Sequence, residues 1–445
     1  MMSPQRISIV GTGYVGLCTA VGLASKGYKV ITSTHNPEKA TSINKGIPPF
    51  HEPGIQQLLQ KVVRSGYLKC MLGHEEAVLN TDITFIAVGT PSQPDGSINL
   101  HYIESAAREI AKTLNRKDAY HLVVVKSTVV PGTTQNVVKP TLEKRSKKQC
   151  GVDFGLCMNP EFLREGYALK DTLRPDRIII GEHDKKSGDI LEVLYKDSHG
   201  EKMPPIIRTN LQTAELIKYA NNAFLATKIS LINQIANLCE KISGTDITTV
   251  AKAIGLDKRI GRLFLNAGLG YGGSCLPKDV KALIAFSEGL GYDPVLLNAV
   301  EEVNNTQPHK AVELAKKLLG NLKGKRIAIL GLAFKPNIDD IREAVSIKVI
   351  NRLLDKGSKI IVYDPAAMDN AKNILRDRVK YASSVIKCIS DADCCIITTE
   401  WDEFKKLKPE DFIQHMKTPI VVDGRRIYDS EEYSRKLNLA AIGLG

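Results

Sequence analysis

The run GLGYGGSCLPKD, residues 268–279, packs glycines around Cys275 and follows it within four residues by Lys278 and Asp279. Glycines let backbone N–H groups approach a reacting centre. Nearby positive charge or a helix start favours the thiolate, the nucleophilic form of cysteine. A buried structural cysteine in a tight turn is the plainer alternative. That alternative suits the other eight: Cys18, Cys70, Cys150, Cys157, Cys239, Cys388, Cys394 and Cys395. A second run, GTGYVG, residues 11–16, follows the apolar stretch Ile7–Val10 and sets Gly11, Gly13 and Gly16 in G-x-G-x-x-G spacing. Between a strand and a helix expected over 17–26, such glycines bind a dinucleotide. Gly11 allows the turn, Gly13 the approach of a pyrophosphate, and Gly16 close packing of the helix on the sheet. The first N–H groups of the helix are free for the phosphates.

Together the two runs imply a reaction. Hydride loss from a primary alcohol gives an aldehyde. The thiolate adds to it, the thiohemiacetal loses a second hydride, and the resulting thioester is hydrolysed to an acid. The dinucleotide motif lacks one element. An acidic residue at the end of the second strand normally takes the adenosine ribose. The sequence there is ITSTHNPEKA, and Thr34 stands in that place, with Ser33, His35 and Lys39 nearby. Threonine gives one hydrogen bond and no repulsion of a 2′-phosphate, so NADP stays open beside NAD. The nine histidines show no ligand spacing, and no metal is expected.

The elements that must position these residues are legible as patterns. Short β-branched runs at Ile7–Val10, 30–32, 83–88 and 122–125, with others at Phe154–Met158 and 177–180, alternate with helical periodicity. That is a parallel sheet covered on both faces. Apolar residues then recur at three- and four-residue spacing over 211–243, a long helix whose apolar surface is too wide for one partner. A second alternation begins at Gly324, with strands at Arg326–Leu330, Lys359–Tyr363, 394–398 and 420–422 and a helix over 341–354. The expected fold is α/β, with two Rossmann-like parallel-sheet domains flanking a central helical region. The boundaries fall at 1–205 for dinucleotide binding, 206–318 for the helical middle with Cys275, and 319–445 for the second sheet. Ligands belong at the carboxyl ends of the strands, in a cleft between domains.

Composition limits the function classes. Apolar content of 43% with 25% charge suits a soluble globular chain of 445 residues. The net charge of +12, from 61 basic and 49 acidic residues, would draw in anionic small molecules such as pyrophosphates. The densest basic run, Lys144, Arg145, Lys147 and Lys148, reads as a solvated helix end, and no nucleic-acid motif is present. An odd number of cysteines without a C-x-x-C pair indicates neither a disulfide framework nor zinc. No signal-peptide pattern precedes the first strand and no apolar stretch approaches the roughly 18 residues that span a bilayer. A cytoplasmic protein is expected.

Eight ordered stretches resemble the UDP-glucose/GDP-mannose dehydrogenase family: GTGYVG, VGTP (88–91), KSTVVPGTT (126–134), NPEFLREG (159–166), AELIKYANNAFLATKIS (214–230), GYGGSCLPKD, GLAFKPNIDDIRE (331–343) and DGRR (423–426). LRPDRIIIG (173–181) and TTEWDEF (398–404) look more like the branch acting on UDP-glucose. The resemblance implies twofold oxidation of UDP-glucose to UDP-glucuronate with two NAD. Cys275 matches the nucleophile, Lys218 and Asn222 the stabilisers of oxyanions, Asp279 and Thr128 a water-holding pair, and Glu161 the acid that assists thioester hydrolysis. The implied cofactor contacts are Gly11, Gly13, Tyr14, Val15, Gly16, Thr34, Lys39, Thr90, Thr128, Glu165, Lys278 and Arg342. The implied substrate contacts are Glu161, Phe162, Leu163, Lys218, Asn222, Gly272, Lys335 and Arg425, with Arg259 reaching across from a neighbouring subunit of a homo-oligomer. Plainer alternatives stand beside these. Lys218 could be a solvated helix charge, Glu161 and Glu165 could serve a helix start after Pro160, Asp279 could cap a helix, and Arg259 could be an ordinary turn residue. Oxidation of GDP-mannose or a UDP-N-acetylhexosamine, and dinucleotide binding without turnover, are the rival functions.

Overall fold

Ile7–Val10 forms β1 with all four residues buried, as a strand covered on both faces must be. In the computed structural model, which describes residues 6–445, the chain divides into two compact units, one up to Asn221 and one from Asn222. The first unit holds β1, β2 (Val30–Thr34), β3 (Leu68–Leu72), β4 (Ile83–Ile86), β5 (His121–Val125), β6 (Phe154–Met158), β7 (Ile178–Glu182) and β8 (Ile206–Asn210). They lie in the order β3-β2-β1-β4-β5-β6-β7-β8. Alternate residues serve opposite faces. Leu122 and Val124 enter one core with Ile7, Ile9 and Leu17, while Val123 and Val125 enter another with Val10, Ile86 and Ile110. The strand order reverses between β1 and β4, the switch point at which open α/β sheets hold ligands.

The second unit carries β9 (Arg326–Leu330), β10 (Lys359–Tyr363), β11 (Lys380–Tyr381), β12 (Cys394–Ile397), β13 (Ile420–Asp423) and β14 (Asn438–Ala441). Their order is β11-β10-β9-β12-β13-β14, all parallel. The helices before it join the same core, since Ile232, Ala236, Ile247 and Ala311 pack with Ile327, Ile329 and Val421.

The two sheets with a long helix between them agree with the pattern in the sequence, and four details differ. The β6–β7 pair is antiparallel, so the first sheet is not wholly parallel. The helix after the first glycines starts at Tyr14 and ends at Ser25. The long helix spans Leu211–Cys239 and stops short of 243. Turns follow it, ending at Gly244 with φ +78°. The helix expected from 341 starts at Val345, because Asp340 takes the Arg342 N–H and Glu343 adopts φ +50°. Among the described residues no helix is long and apolar enough to cross a membrane.

Candidate active site

The dinucleotide motif has the geometry its spacing implies. Gly11 leaves β1 with φ +113°, and a Cβ there would lie 2.3 Å from the Ala87 carbonyl oxygen. A Cβ on Gly16 would lie 2.2 Å from the Gly11 carbonyl oxygen, so helix Tyr14–Ser25 can pack this closely only with glycine. Gly13 is different. It is the N-cap of that helix, no side chain caps it, and nothing lies within 4 Å of the place its Cβ would take. Open space before uncapped N–H groups fits a pyrophosphate. Tyr14 turns its hydroxyl to the His51 carbonyl at 3.0 Å and stacks on Phe50, while Val15 packs against the core. Thr34 ends β2, where its hydroxyl accepts the Asn36 N–H at 3.2 Å. The Lys39 N–H is taken by Asn36, and its side chain is exposed. At the ends of β4 and β5, the Thr90 hydroxyl donates to the Thr128 carbonyl at 2.9 Å and Ser127 donates to Val88 at 2.7 Å.

Beyond β6 the chain places Glu161 among cations. Its carboxylate is 8% exposed, 3.1 Å from Lys218 Nζ, and accepts the Leu163 N–H at 2.6 Å. Burial pushes the Glu161 pKa up, but Lys218, the Leu163 N–H and Lys126 outweigh it and leave it below the usual carboxylate range. Lys218 itself is buried, so the surface-charge alternative fails. Lys126 is also buried, and burial lowers its pKa to about 8 despite the pull of Glu161. Its ammonium donates to Asn159 Oδ1 at 2.8 Å, which Tyr195 also donates to, and Asn159 Nδ2 is fixed by the Ile179 carbonyl. Phe162 lies under Arg177, 3.9 Å from its ring centre, and 5.5 Å from Lys218. Leu163 packs against the core.

One alternative for this segment is corrected. Residues 159–164 form no helix, and the next helix begins at Ala168. Glu161 and Glu165 therefore do not serve a helix start after Pro160. Buried Glu52 holds the loop instead, accepting the Gly166 N–H at 2.7 Å. Glu215 does the same for the loop after Thr128, accepting the N–H groups of Gly132 and Thr134 at 2.6 and 2.7 Å. Burial raises the Glu215 pKa to about 7, partly offset by those bonds. Sequence reading missed Lys126, Asn159, Tyr195, Glu52 and Glu215. Lys126 and Asn159 each open a matched stretch, which was the available signal.

In the second unit, Cys275 is the N-cap of helix Leu276–Gly289 and is exposed, 3.4 Å from the Ser274 hydroxyl. The other eight cysteines are buried. Burial raises the thiol pKa of Cys18, Cys70, Cys150, Cys157, Cys388, Cys394 and Cys395. Cys275 holds the N-cap position, so Asp279 does not cap this helix. Its carboxylate is 2% exposed and accepts Asn222 Nδ2 at 2.6 Å and Lys278 Nζ at 2.5 Å. Lys278, expected at the cofactor, donates to that carboxylate. The glycine loop packs against backbone: a Cβ on Gly272 would lie 2.4 Å from the Glu343 carbonyl oxygen. Arg425 ties the same loop down, donating to the Gly270 and Thr398 carbonyls at 3.1 and 2.8 Å. Arg342 forks onto buried Asp340, and Lys335 Nζ lies 5.4 Å from the Phe334 ring centre. Arg259 stands apart, its side chain 89% exposed and paired with Asp257.

Three models of one family match consecutive parts of the chain. These are the UDP-glucose/GDP-mannose dehydrogenase family NAD binding domain over 5–199, its central domain over 212–306 and its UDP binding domain over 328–430. The chain is 44% identical over 429 residues to the UDP-glucose 6-dehydrogenase AglM of Haloferax volcanii, covering 96% of this chain and 98% of that one. A UDP-glucose dehydrogenase structure from Pyrobaculum islandicum is similar at TM-score 0.92 and 40% identity, covering 100% of this chain and 98% of the other. A UDP-D-ManNAc dehydrogenase from Pyrococcus horikoshii is similar at TM-score 0.87 and 29% identity, with coverages of 98% and 99%.

The cofactor is NAD, and the absence of an acid at the end of β2 predicts weak discrimination against NADP. An aspartate there would bind both ribose hydroxyls and repel a 2′-phosphate. Thr34→Asp should raise the NAD/NADP ratio of kcat/KM by about tenfold, the size of a single like-charge contact of ~1.4 kcal/mol. An unchanged ratio would remove position 34 from the ribose.

Proposed function

Because the chain belongs to the UDP-glucose/GDP-mannose dehydrogenase family, we propose that it oxidises UDP-glucose twice, to UDP-glucuronate, with two NAD and Cys275 as nucleophile. The observation that carries this reading is the similarity to UDP-glucose 6-dehydrogenases along nearly the whole chain, higher than that to the UDP-D-ManNAc enzyme. The exposed thiol at a helix start supplies the matching chemistry. The division into a dinucleotide part (1–205), a helical part with the nucleophile (206–318) and a UDP-sugar part (319–445) belongs to the same proposal. So does a cytoplasmic location, supported by nine free cysteines.

Gly11, Gly13, Tyr14, Val15, Gly16, Thr34, Lys39, Thr90, Thr128, Glu165, Lys278 and Arg342 are the proposed holders of NAD, which when bound accepts the hydride of each oxidation. Phe162, Leu163, Gly272, Lys335 and Arg425 hold the nucleotide sugar, with Arg259 of a second subunit. Cys275 adds as thiolate to the aldehyde carbon, and the helix start favours its ionised form. Lys218 and Asn222 stabilise the oxyanion that forms as the C–S bond closes. After the second oxidation the carbon is a thioester. Asp279 and Thr128 hold the attacking water, Glu161 accepts its proton, and the C–S bond breaks to return the Cys275 thiolate.

This reading is tested by NADH yield. About two NADH per UDP-glucose with little free aldehyde are expected. Cys275→Ser should abolish net turnover with the fold intact, since a hydroxyl is a far poorer nucleophile at neutral pH. One NADH per sugar with an aldehyde product, or wild-type rates in Cys275→Ser, sinks the thioester route.

Glu161→Gln removes the proton acceptor and leaves Lys218 and Lys126 without their counter-ion. Hydrolysis should slow by about 10²–10⁴-fold, the usual worth of a positioned base, and a covalent adduct on Cys275 should accumulate. Intact-mass measurement of quenched enzyme showing no adduct alongside normal turnover takes Glu161 out of the mechanism.

We also infer a homo-oligomer, at least a dimer, built on helix Leu211–Cys239. Leu216, Phe224, Leu231 and Leu238 are 46%, 66%, 54% and 54% exposed. Their spacing of about two turns gives one apolar stripe, unusual on a surface meant for water. Sedimentation should give a dimer or larger, and Phe224→Asp with Leu231→Asp should dissociate it. A fully active monomer refutes this.

A further inference from the structure

Three residues far apart in sequence bring ligand atoms together at the end of β2. His35 follows that strand, His74 precedes helix Glu75–Leu79, and Glu109 sits on helix His101–Leu114. One nitrogen from each histidine and a carboxylate oxygen all lie within 4.8 Å of one another. We propose that His35, His74 and Glu109 form a binding site for a transition-metal cation of the zinc class.

The arrangement is built rather than incidental on two counts. First, His74 is 6% exposed and its Nδ1 is 2.9 Å from the Ser33 hydroxyl, which leaves Nε2 as the ligating atom and fixes the ring plane. A hydrogen bond to the non-ligating nitrogen is the usual support of a metal-bound histidine. Second, His35 Nε2 already lies 3.0 Å from Glu109 Oε1, and the His35 and His74 ring centres are 4.4 Å apart. Ligands at about 2.0–2.1 Å around a tetrahedral ion are separated by roughly 3.3–3.5 Å. Closing the wider separations in this cluster needs a rotation of His35, whose side chain is 62% exposed.

The donor set selects the ion. Two imidazoles and one carboxylate suit zinc, cobalt, nickel and copper, whereas magnesium and calcium prefer all-oxygen shells. Three protein ligands leave a fourth position for water. The bland alternative is a half-exposed ion pair beside a second, tilted imidazole ring, worth little by itself.

Full-length apo enzyme titrated with Zn²⁺ against a chromophoric chelator tests the site. Wild type should take up one tight equivalent per chain, and Zn²⁺ should raise its thermal midpoint. His35→Ala and Glu109→Gln, both at accessible positions, should each lose at least tenfold in affinity and most of the thermal shift. Cys275→Ser should retain both, which separates this site from the exposed thiol. Zinc uptake equal in wild type and His35→Ala, uptake lost only in Cys275→Ser, or no uptake at all overturns the proposal.

Discussion

A carboxylate cannot be taken out of water without a partner, and each of the two units buries one such carboxylate among its candidate residues. Glu161 is compensated by Lys218, and Asp279 accepts Asn222 and Lys278. Lys218 and Asn222 stand four residues apart on one helix, so a single turn carries a partner for each acid. Most of the neighbouring structure can be understood as support for these pairs. Glu52 and Glu215 fix loops by accepting backbone N–H groups, and Asn159 orients Lys126. Removing one member of a buried pair leaves a charge stranded at a cost of several kcal/mol. Each pair therefore tolerates change around it far better than at its acid.

The same electrostatics bear on the proposed hydrolysis. A carboxylate held below its usual pKa is ionised and ready to accept a proton, but it is a weak base. Lys218 is what holds it down most strongly against burial. In the proposed mechanism Lys218 also stabilises an oxyanion on the reacting carbon. As that charge grows, part of the Lys218 interaction shifts to it, and Glu161 becomes more basic when a proton must be taken from water. One lysine would then couple oxyanion stabilisation to base strength.

How much of this was legible in the sequence follows from distance along the chain. The turn after β1 is local, and Gly11, Gly13 and Gly16 behave as their spacing implies. Thr34 was likewise readable, because the end of β2 is fixed by the register Val10 to Ser33. The burial of Lys218 was not. Helical spacing places it on a face but says nothing of a glutamate 57 residues earlier in the chain. No helix starts after Pro160, because the 161–166 loop answers to Glu52, 114 residues before Gly166. Half-polar strands such as β8, with no fully buried residue, gave no alternation to read. The histidine cluster escaped for the same reason, since residues 35, 74 and 109 share no spacing.

Arg425 shows why a role assigned by motif and one assigned by geometry need not compete. Its guanidinium has five donors, and two of them go to the Gly270 and Thr398 carbonyls. Those bonds anchor the loop that presents Cys275, and donors remain for an anionic group. Gly270 lies five residues before the nucleophile, so a ligand that draws on Arg425 also bears on the loop's anchor. A lysine at this position would keep the charge but lose the planar fork that serves two partners at once. The motif residue is thus both a candidate substrate contact and part of the scaffold, and its conformation is set before any substrate arrives.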